Sequence, residues 1–368
     1  MGEAMVQNRV MDGAQQSQPS RSDEFMSGPT LSELNAEFAT DVSAWPRFER
    51  CPVCASKRIR GLAVVRHMPY ERCRSCGFVF CNPYPPEAVR DAFYNSTFYT
   101  NYRILEDRMR ERDPYFSIST YIDMRTLAGR IAELAPQSVL DFGCGTGSFL
   151  ALLRDEFDIA DVHGLEISSE ARERALRAYG LEIAECAAQL PRGAFDAVLL
   201  LEVIEHVPDP DAFLADVAAL VSPGGVLVVT TPAVDNLVGR YIPKQCAHYT
   251  APSHVSLFTS RSMLALMDKF GLKPIRFDTD AARGAARILV RSMLYSLDFK
   301  SPEHAEDDAD ALFRPTSLGR RLGRVETRTP TQPGIAARPV ALVDRLLERV
   351  YRRPDHLYVI ARRTEQRA

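Results

Sequence analysis

Short apolar runs alternate with longer stretches in which apolar residues recur every three or four positions, from residue 138 to residue 279. The short runs are typical of buried strands and the periodic stretches of amphipathic helices. This alternation predicts an α/β fold, with a parallel sheet covered by helices on both faces. The predicted strands are 138–142, 162–166, 182–186, 196–201, 225–231 and 273–279, and the predicted helices are 147–157, 169–179, 210–221 and 261–270.

Capping and turn residues support these boundaries. Asp209 is a suitable N-cap for a helix that begins at Pro210, and Ser260 is a suitable N-cap for the helix from residue 261. The Pro223-Gly224-Gly225 sequence is expected to end one helix and turn into the next strand. The segment 356–363, HLYVIARR, predicts a final strand that completes the domain formed by residues 136–280.

The flanking segments lack this alternation. Residues 1–44 are rich in Gln, Ser and Met, and we expect them to be disordered apart from a short helix near 31–38. Residues 87–135 predict a helical cap whose aromatic residues cover a cleft, namely Phe93, Tyr94, Phe98, Tyr99 and Tyr102.

Residues 281–355 predict a helical or flexible insertion, which is basic between 314 and 353. Within it, residues 340–352 carry one apolar stripe at helical spacing. Either this helix packs on the domain, or it contacts a partner, a second copy of the chain or a membrane surface.

Composition narrows the functional classes. Hydrophobic residues make up 46% of the chain and charged residues 25%, which is typical of globular proteins, and the net charge of −3 gives no argument for DNA as a partner. No apolar run reaches the length of a membrane span, and no secretory signal opens the chain. We therefore expect a cytoplasmic protein without a transmembrane segment, in which cysteines serve as thiols or metal ligands.

Two C-x-x-C pairs define a module at residues 45–86. Cys51 and Cys54 form the first pair, Cys73 and Cys76 form the second, and 18 residues separate the pairs. This spacing is typical of a tetrahedral zinc site in a zinc ribbon, although reduced thiols without metal remain the alternative. Four thiolates leave no open coordination position, so the expected Zn²⁺ is structural.

A glycine-rich loop follows the first predicted strand in VLDFGCGTGSFL, residues 139–150. A dinucleotide fingerprint requires G-x-G-x-x-G, but Ser148 stands where its last glycine belongs. Asp141 would repel a pyrophosphate at this loop and would favour a cationic ligand such as S-adenosylmethionine. Glu166 closes the next strand, where an acid can accept both hydroxyls of a ribose.

These motifs resemble those of class I S-adenosylmethionine-dependent methyltransferases. Besides the glycine loop, FDAVLLLEVIEHVPDP at 195–210 and LVSPGGVLVVTTP at 220–232 are similar to that family's fourth and fifth strands. The resemblance implies a seven-stranded Rossmann-like sheet whose last strand is antiparallel. It also implies a set of cofactor-binding residues: Asp141, Gly143, Cys144, Gly145, Gly147, Glu166, Ile167, Cys186 and Glu202. Members of the family often have an acid that contacts the adenine amine, and Cys186 occupies that position here.

Three histidines are candidates for the base that a methyl acceptor needs. His206 follows the fourth strand, and His248 and His254 follow the fifth, so all three are expected at the carboxyl edge of the sheet. The HVSLFT segment at 254–259 is similar to one in sugar methyltransferases that carry a four-cysteine zinc module. In those enzymes a glutamate often precedes the histidine, whereas Ser253 does here, so both O- and C-methylation stay open.

The leading hypothesis is methyl transfer from S-adenosylmethionine to a small hydroxylated metabolite, such as a sugar or a natural-product or polysaccharide precursor. One alternative is an RNA methyltransferase that uses the basic ribbon segment 55–60 to grip nucleic acid. The other alternative is a non-catalytic protein that binds the cofactor and docks a partner through its basic C-terminal insertion.

Overall fold

The computed structural model describes residues 31–99, 124–246, 248–278 and 356–364. Two sheets and their helices account for most of these residues. In chain order the elements are α1 Leu31–Phe38, β1 Ile59–Val65, β2 Met68–Cys73, β3 Val79–Cys81, α2 Glu87–Tyr94, α3 Met124–Ala132, β4 Ser138–Phe142, α4 Ser148–Phe157, β5 Asp161–Leu165, α5 Ser169–Tyr179, β6 Phe195–Leu201, α6 Pro210–Leu220, β7 Val221–Pro232, α7 Leu237–Tyr241, β8 Ser256–Leu257, α8 Ser260–Lys269, β9 Leu272–Asp278 and β10 His356–Arg363.

The larger sheet has six strands in the order β5-β4-β6-β7-β10-β9. Strands β5, β4, β6 and β7 run parallel, and β10 lies antiparallel between β7 and β9. The antiparallel last strand is as expected for a Rossmann-like methyltransferase sheet. Because the carboxyl ends of β4 to β7 lie at one edge, the loops that follow them meet there.

One of the seven expected strands is reduced to a single bridge. Residues 182–186 were predicted as a strand, but only Ala184 pairs, in a parallel bridge with Leu165. The side-chain oxygen of Gln189 accepts the backbone N–H of Glu185 at 2.7 Å, which diverts that amide from the sheet. A 3₁₀ turn, Ala187–Gln189, follows at once.

Of the three predicted cap and turn signals, one is confirmed and two differ in the structure. Asp209 caps α6 as predicted, accepting the N–H groups of Asp211 and Ala212. The predicted cap Ser260 is instead the first helical residue of α8, and Thr259 is the N-cap, forming a capping box with Ser262. The predicted Pro-Gly-Gly turn at 223–225 lies inside β7, which begins directly after α6.

The core lies on both faces of the large sheet, and alternate strand residues supply the two faces. One face, with Leu140, Val198, Leu200, Leu227 and Val229, packs against α6 and α8. The other face, with Val139, Ala197, Leu199, Val226 and Val228, packs against α3 and α4.

The smaller sheet joins the cysteine module to the rest of the fold. Its order is β1-β2-β3-β8, so its last strand follows the candidate base His254. Cys81 donates its backbone N–H to the carbonyl of Val255 at 2.8 Å. Phe78 of the module packs on Phe258, with ring centroids 5.0 Å apart, and belongs to the same apolar cluster as α8. The module is therefore built into one face of the protein.

The N-terminal segment differs in part from the predicted disorder. Residues 31–44 form α1 and a 3₁₀ helix, and α1 coincides with the short helix predicted near 31–38. Leu31 and Leu34 are buried against Phe93, and Asn35 donates to the carbonyl of Ala251 at 2.7 Å. Residues 1–30, 100–123 of the predicted cap and the predicted insertion 281–355 with its 340–352 helix lie outside the described residues. No helix in the described part is both long enough and apolar enough to cross a bilayer.

Candidate active site

The glycine loop connects β4 to α4 at the carboxyl edge of the large sheet. The backbone N–H groups of Gly143 and Cys144 both donate to the carbonyl of Leu165, at 2.7 and 3.1 Å. Gly143 has φ +82°, and a Cβ there would lie 2.8 Å from Val203. At Gly145, with φ +56°, a Cβ would meet nothing within 4 Å, so the backbone is open to a ligand at this point.

Glu166 faces the glycine loop from the end of β5. One carboxylate oxygen accepts the N–H of Gly145 and the other accepts the N–H of Ser168, both at 2.9 Å. The Arg172 guanidinium fixes the same turn by donating to the carbonyls of Glu166 and Ile167, each at 2.8 Å. These contacts hold the carboxylate at the rim of the loop, where the sequence predicts a ribose contact.

Apolar surface lies beside this carboxylate. Ile167 is 82% exposed, which is unusual for a large aliphatic side chain that follows a buried strand. Cys186, predicted at the adenine contact, is exposed as well, and Glu185 beside it lies 3.6 Å from Arg172. An exposed aliphatic side chain here offers a flat surface to an aromatic base.

Asp141 is a buried carboxylate beneath the loop. It is only 3% exposed, and its Oδ1 has no hydrogen-bond partner among the described residues. Burial, and then the negative charge of Glu166, raises the pKa of Asp141 to about 7. The buried hydroxyl of Thr146 also has no partner in the described part of the chain. A cationic amine would satisfy the carboxylate, so these residues fit the amino group of S-adenosylmethionine.

Glu202 marks the end of β6. Its φ of +56° is rare for a residue with a side chain, and its backbone N–H donates to the carbonyl of Thr230 at 3.0 Å. One carboxylate oxygen lies 3.5 Å from Nε2 of His356, and both side chains are buried. The sequence analysis did not single out His356, although a polar residue at the start of the apolar strand HLYVIA was a usable signal.

Two of the three predicted histidines lie together. The rings of His206 and His254 have centroids 5.0 Å apart, and the Tyr94 hydroxyl from α2 lies 3.3 Å from Nδ1 of His206. The predicted His248 is oriented differently, because its ring packs on His356 at 5.0 Å. The structure therefore brings His206 and His254 to one point and places the His248 ring on the Glu202 side.

The contacts of His254 define its basic nitrogen. Its Nδ1 lies 3.2 Å from the carbonyl of His248. A carbonyl can only accept, so Nδ1 carries the proton in the neutral ring and Nε2 keeps the lone pair. Burial, and then the neighbouring His206, lowers the pKa of His254 well below its usual value. The ring is thus neutral at pH 7, with its lone pair on Nε2.

Glu205 completes this group, although the sequence analysis did not select it. It is 1% exposed, and the Thr231 hydroxyl donates to one of its oxygens at 2.9 Å. Burial, and then the charge of Glu202, raises the pKa of Glu205 to about 8. The ligand atoms of Glu205, His206 and His254 all lie within 4.8 Å of one another. An acid directly before a histidine, at a strand end, was the signal available in the sequence.

The four predicted cysteine ligands converge in the ribbon. The Sγ atoms of Cys51 and Cys76 are 3.6 Å apart, as are those of Cys54 and Cys73, and all four lie within 4.8 Å of one another. A tetrahedron with Zn–S bonds of about 2.3 Å has sulfur–sulfur edges of about 3.8 Å. The four sulfur atoms could therefore hold one metal ion with little movement.

Comparison with known proteins finds similar sequences among methyltransferases. A family described as a methyltransferase domain matches residues 119–276. The ubiquinone biosynthesis O-methyltransferase of Xanthomonas oryzae pv. oryzae is 30% identical over 194 residues, which cover 45% of this chain and 77% of the relative. The namesake from Xanthomonas campestris pv. campestris is 32% identical over 173 residues, covering 40% and 70%.

Among solved structures, phosphoethanolamine N-methyltransferase 2 of Haemonchus contortus in complex with S-adenosyl-L-methionine aligns with a TM-score of 0.47 and 16% identity, covering 78% of this chain and 63% of that one. The sequence relatives, with the glycine loop and the strand order, define the class as α/β enzymes that use S-adenosylmethionine. The chain belongs to the class I S-adenosylmethionine-dependent methyltransferase family.

Proposed function

We propose that this methyltransferase transfers a methyl group to a hydroxyl oxygen of a small metabolite, of the sugar or natural-product class. One observation carries the proposal: a neutral histidine with its lone pair on Nε2, His254, lies beside His206 and Glu205 at the sheet edge that also carries the cofactor loop. An oxygen nucleophile with a proton to lose needs such a base. The curated relatives named as O-methyltransferases support an oxygen acceptor.

In this proposal the cofactor end of the site is built from residues after β4 and β5. Asp141 binds the amino group, Glu166 binds the ribose hydroxyls, and Ile167 packs against the adenine. The glycines of the loop let the backbone approach the methionine portion. S-adenosylmethionine, when bound, supplies a methyl group attached to a positively charged sulfur. When the carbon–sulfur bond breaks, that sulfur becomes a neutral thioether.

The acceptor end is built from α2 and from the loops after β6 and β7. His254 Nε2 accepts the proton that the acceptor hydroxyl loses as its oxygen bonds to the methyl carbon. Tyr94 and His206, 3.3 Å apart, line the same point and orient the hydroxyl. The buried Glu205 keeps its proton at pH 7 and therefore adds no negative charge beside the base.

We further propose that Cys51, Cys54, Cys73 and Cys76 hold one structural Zn²⁺. The convergence of their sulfur atoms supports this proposal, and four thiolates leave no position for a substrate. The ion would fix the β1-β2-β3 ribbon, whose third strand pairs with β8 two residues after His254. Zinc in this position acts on catalysis only by holding the acceptor side in place.

Turnover of a panel of hydroxylated sugars, phenols and hydroxy acids with methyl-labelled S-adenosylmethionine tests the oxygen-transfer proposal. We expect at least one acceptor to be methylated on oxygen, with kcat reduced roughly 100-fold or more in His254→Gln. His163→Gln, at a partly exposed histidine that pairs with Asp161 at 2.9 Å, is the matched control and should keep most of its activity. Full activity of His254→Gln would refute the assignment of the base.

A further inference from the structure

Helix α2 carries a second polar residue toward the acceptor side. Arg90 and Tyr94 are four residues apart and so lie on the same face of this helix. The Tyr94 hydroxyl reaches His206 at 3.3 Å, which places that helical face over the proposed base cluster. Burial raises the pKa of Tyr94, and the positive charge of Arg90 acts in the opposite direction. Side chains four residues apart on a helix are neighbours, so the guanidinium lies on the same side of α2 as the Tyr94 hydroxyl.

The Nε of Arg90, a half-buried residue, lacks a hydrogen-bond acceptor among the described residues. This atom is shielded from solvent, and no ion pair with a carboxylate forms in the described part of the chain. The acids on its own helix, Glu87 and Asp91, are exposed and do not reach it. Arg47 pairs with Glu71 at 3.1 Å, and Arg72, whose Nε also lacks a partner within the described residues, donates through Nη2 to the carbonyl of Val234 at 3.4 Å.

A shielded N–H without an acceptor is costly, and a positive charge raises that cost. The cost is offset if an anionic group binds there. A guanidinium presents parallel N–H donors that match the two oxygens of a carboxylate or a phosphate, so the ligand chemistry is that of an oxyanion.

We propose that Arg90 forms an anion subsite of the acceptor pocket and binds a carboxylate or phosphate carried by the acceptor, with the hydroxyl to be methylated at His254. This inference rests on the proposed function, because it names the class of acceptor that the same pocket takes. The acceptor is then a hydroxylated metabolite that also carries a carboxylate or a phosphate group.

Calorimetric titration tests the subsite without requiring turnover. Benzoate and inorganic phosphate are titrated separately into the full chain saturated with S-adenosylhomocysteine. We expect at least one of them to bind, and Arg90→Gln to weaken that binding roughly tenfold or more. Arg90→Lys keeps the positive charge but lacks the paired N–H donors, so its anion affinity should lie between those of the wild type and Arg90→Gln.

Arg192→Gln is the matched control, since Arg192 is exposed and precedes β6 at the opposite edge of the sheet. Its anion affinity should equal that of the wild type. Every variant should bind S-adenosylhomocysteine as the wild type does, which shows that the fold is intact. Binding of benzoate alone assigns a carboxylate acceptor, binding of phosphate alone assigns a phosphorylated one, and binding of both assigns a subsite that accepts either group.

The inference is overturned if neither anion binds the wild type, or if Arg90→Gln binds both as well as the wild type. The proposed function can fail while the anion subsite holds: in that case the anion binds, but no acceptor is methylated. For a methylated acceptor, Arg90→Gln should raise KM for the anionic compound roughly tenfold and change KM of a neutral analogue much less. An equal loss for both compounds would indicate a structural role and would also overturn the subsite.

Discussion

At the scale of the residue, Asp141 links cofactor binding to pH. Its carboxyl has a pKa of about 7 in the free protein, because it is buried and faces the charge of Glu166. Only the ionised form attracts a cationic amine. The site therefore binds S-adenosylmethionine more tightly as the pH rises through 7.

We predict that the affinity for S-adenosylmethionine falls by up to about tenfold per pH unit below pH 7. Calorimetric titration from pH 8 to pH 6 measures the change. Asp141→Asn removes the titrating group and should bind weakly with little dependence on pH. A wild-type affinity that stays constant over this range would contradict the role assigned to Asp141.

The same carboxyl should destabilise the protein without cofactor. A folded pKa raised from 3.8 to about 7 means that the native state holds more protons than the unfolded chain between these values. The free energy of unfolding therefore decreases as the pH rises from about 4 to 7.

We accordingly predict that Asp141→Asn raises the Tm of the cofactor-free protein, and raises it more at pH 8 than at pH 5. The expected gain at pH 8 is roughly 1–4 kcal/mol, the size of a shift of a few pKa units. Thermal denaturation at both pH values measures it, with the exposed Asp155→Asn as the control. A gain in Tm at pH 8 that is equal to or smaller than the gain at pH 5 would show that the ionised carboxyl of Asp141 does not destabilise the folded protein.

Site residues differ in how readily the sequence reveals them. Asp141, the loop glycines and Glu166 lie within one β-α-β unit, so their spacing alone brings them together. Glu205 and His356 join the site through contacts between separate segments: the Thr231 hydroxyl of β7 donates to Glu205, and β10 enters between β7 and β9. A local pattern marks each of them only as a polar residue at the end of a strand, and their partners follow from the three-dimensional contacts.

At the scale of the element, the start of α8 shows how a single side chain can be misassigned. Both Thr259 and Ser260 are good N-cap residues, so propensity does not choose between them. Thr259 is the N-cap because its hydroxyl also donates to the carbonyl of Cys76 at 3.3 Å. This contact joins the helix to the second cysteine pair.

We predict that Thr259→Ala lowers the free energy of unfolding by about 1–2 kcal/mol, because it removes both the cap and the contact to the ribbon. Ser260→Ala is the matched control and should change stability by less than about 0.5 kcal/mol. Urea denaturation of both variants measures the difference. An equal loss of stability in the two variants would contradict the assignment of Thr259 as the N-cap.

The lost third strand is a further example at this scale. Its residues 182–186 have a suitable apolar pattern, which predicts the third of the seven expected strands. Pattern does not reveal that Gln189 accepts the N–H of Glu185 and ends the pairing after Ala184. An edge strand depends on one neighbour only, so a single competing acceptor is enough to end it.

At the scale of the whole molecule, the cofactor loop and the proposed zinc ribbon contact different parts of the sheet. The glycine loop is held by β5, whereas the ribbon packs on α8 and pairs with β8. Loss of the metal should therefore affect the acceptor side before the cofactor side.

We predict that Cys76→Ser, or treatment with a strong chelator, lowers the Tm and the rate of methyl transfer, while the Kd for S-adenosylmethionine changes less than about threefold. Metal analysis of the purified protein should find one zinc per chain, and none in the variant. Cys186→Ser, at an exposed thiol, is the control for metal content and Tm. A wild-type protein without zinc would refute the metal assignment.

The pairing of β3 with β8 has a consequence for where the protein can be divided. A chain shortened to begin at residue 87 would leave Ser256 and Leu257 without their neighbour and uncover the ring of Phe258. An unpaired strand edge beside bare aromatic surface invites self-association. Any hybrid that exchanges the ribbon must therefore also exchange 253–259, and with that segment it would import a foreign proton acceptor.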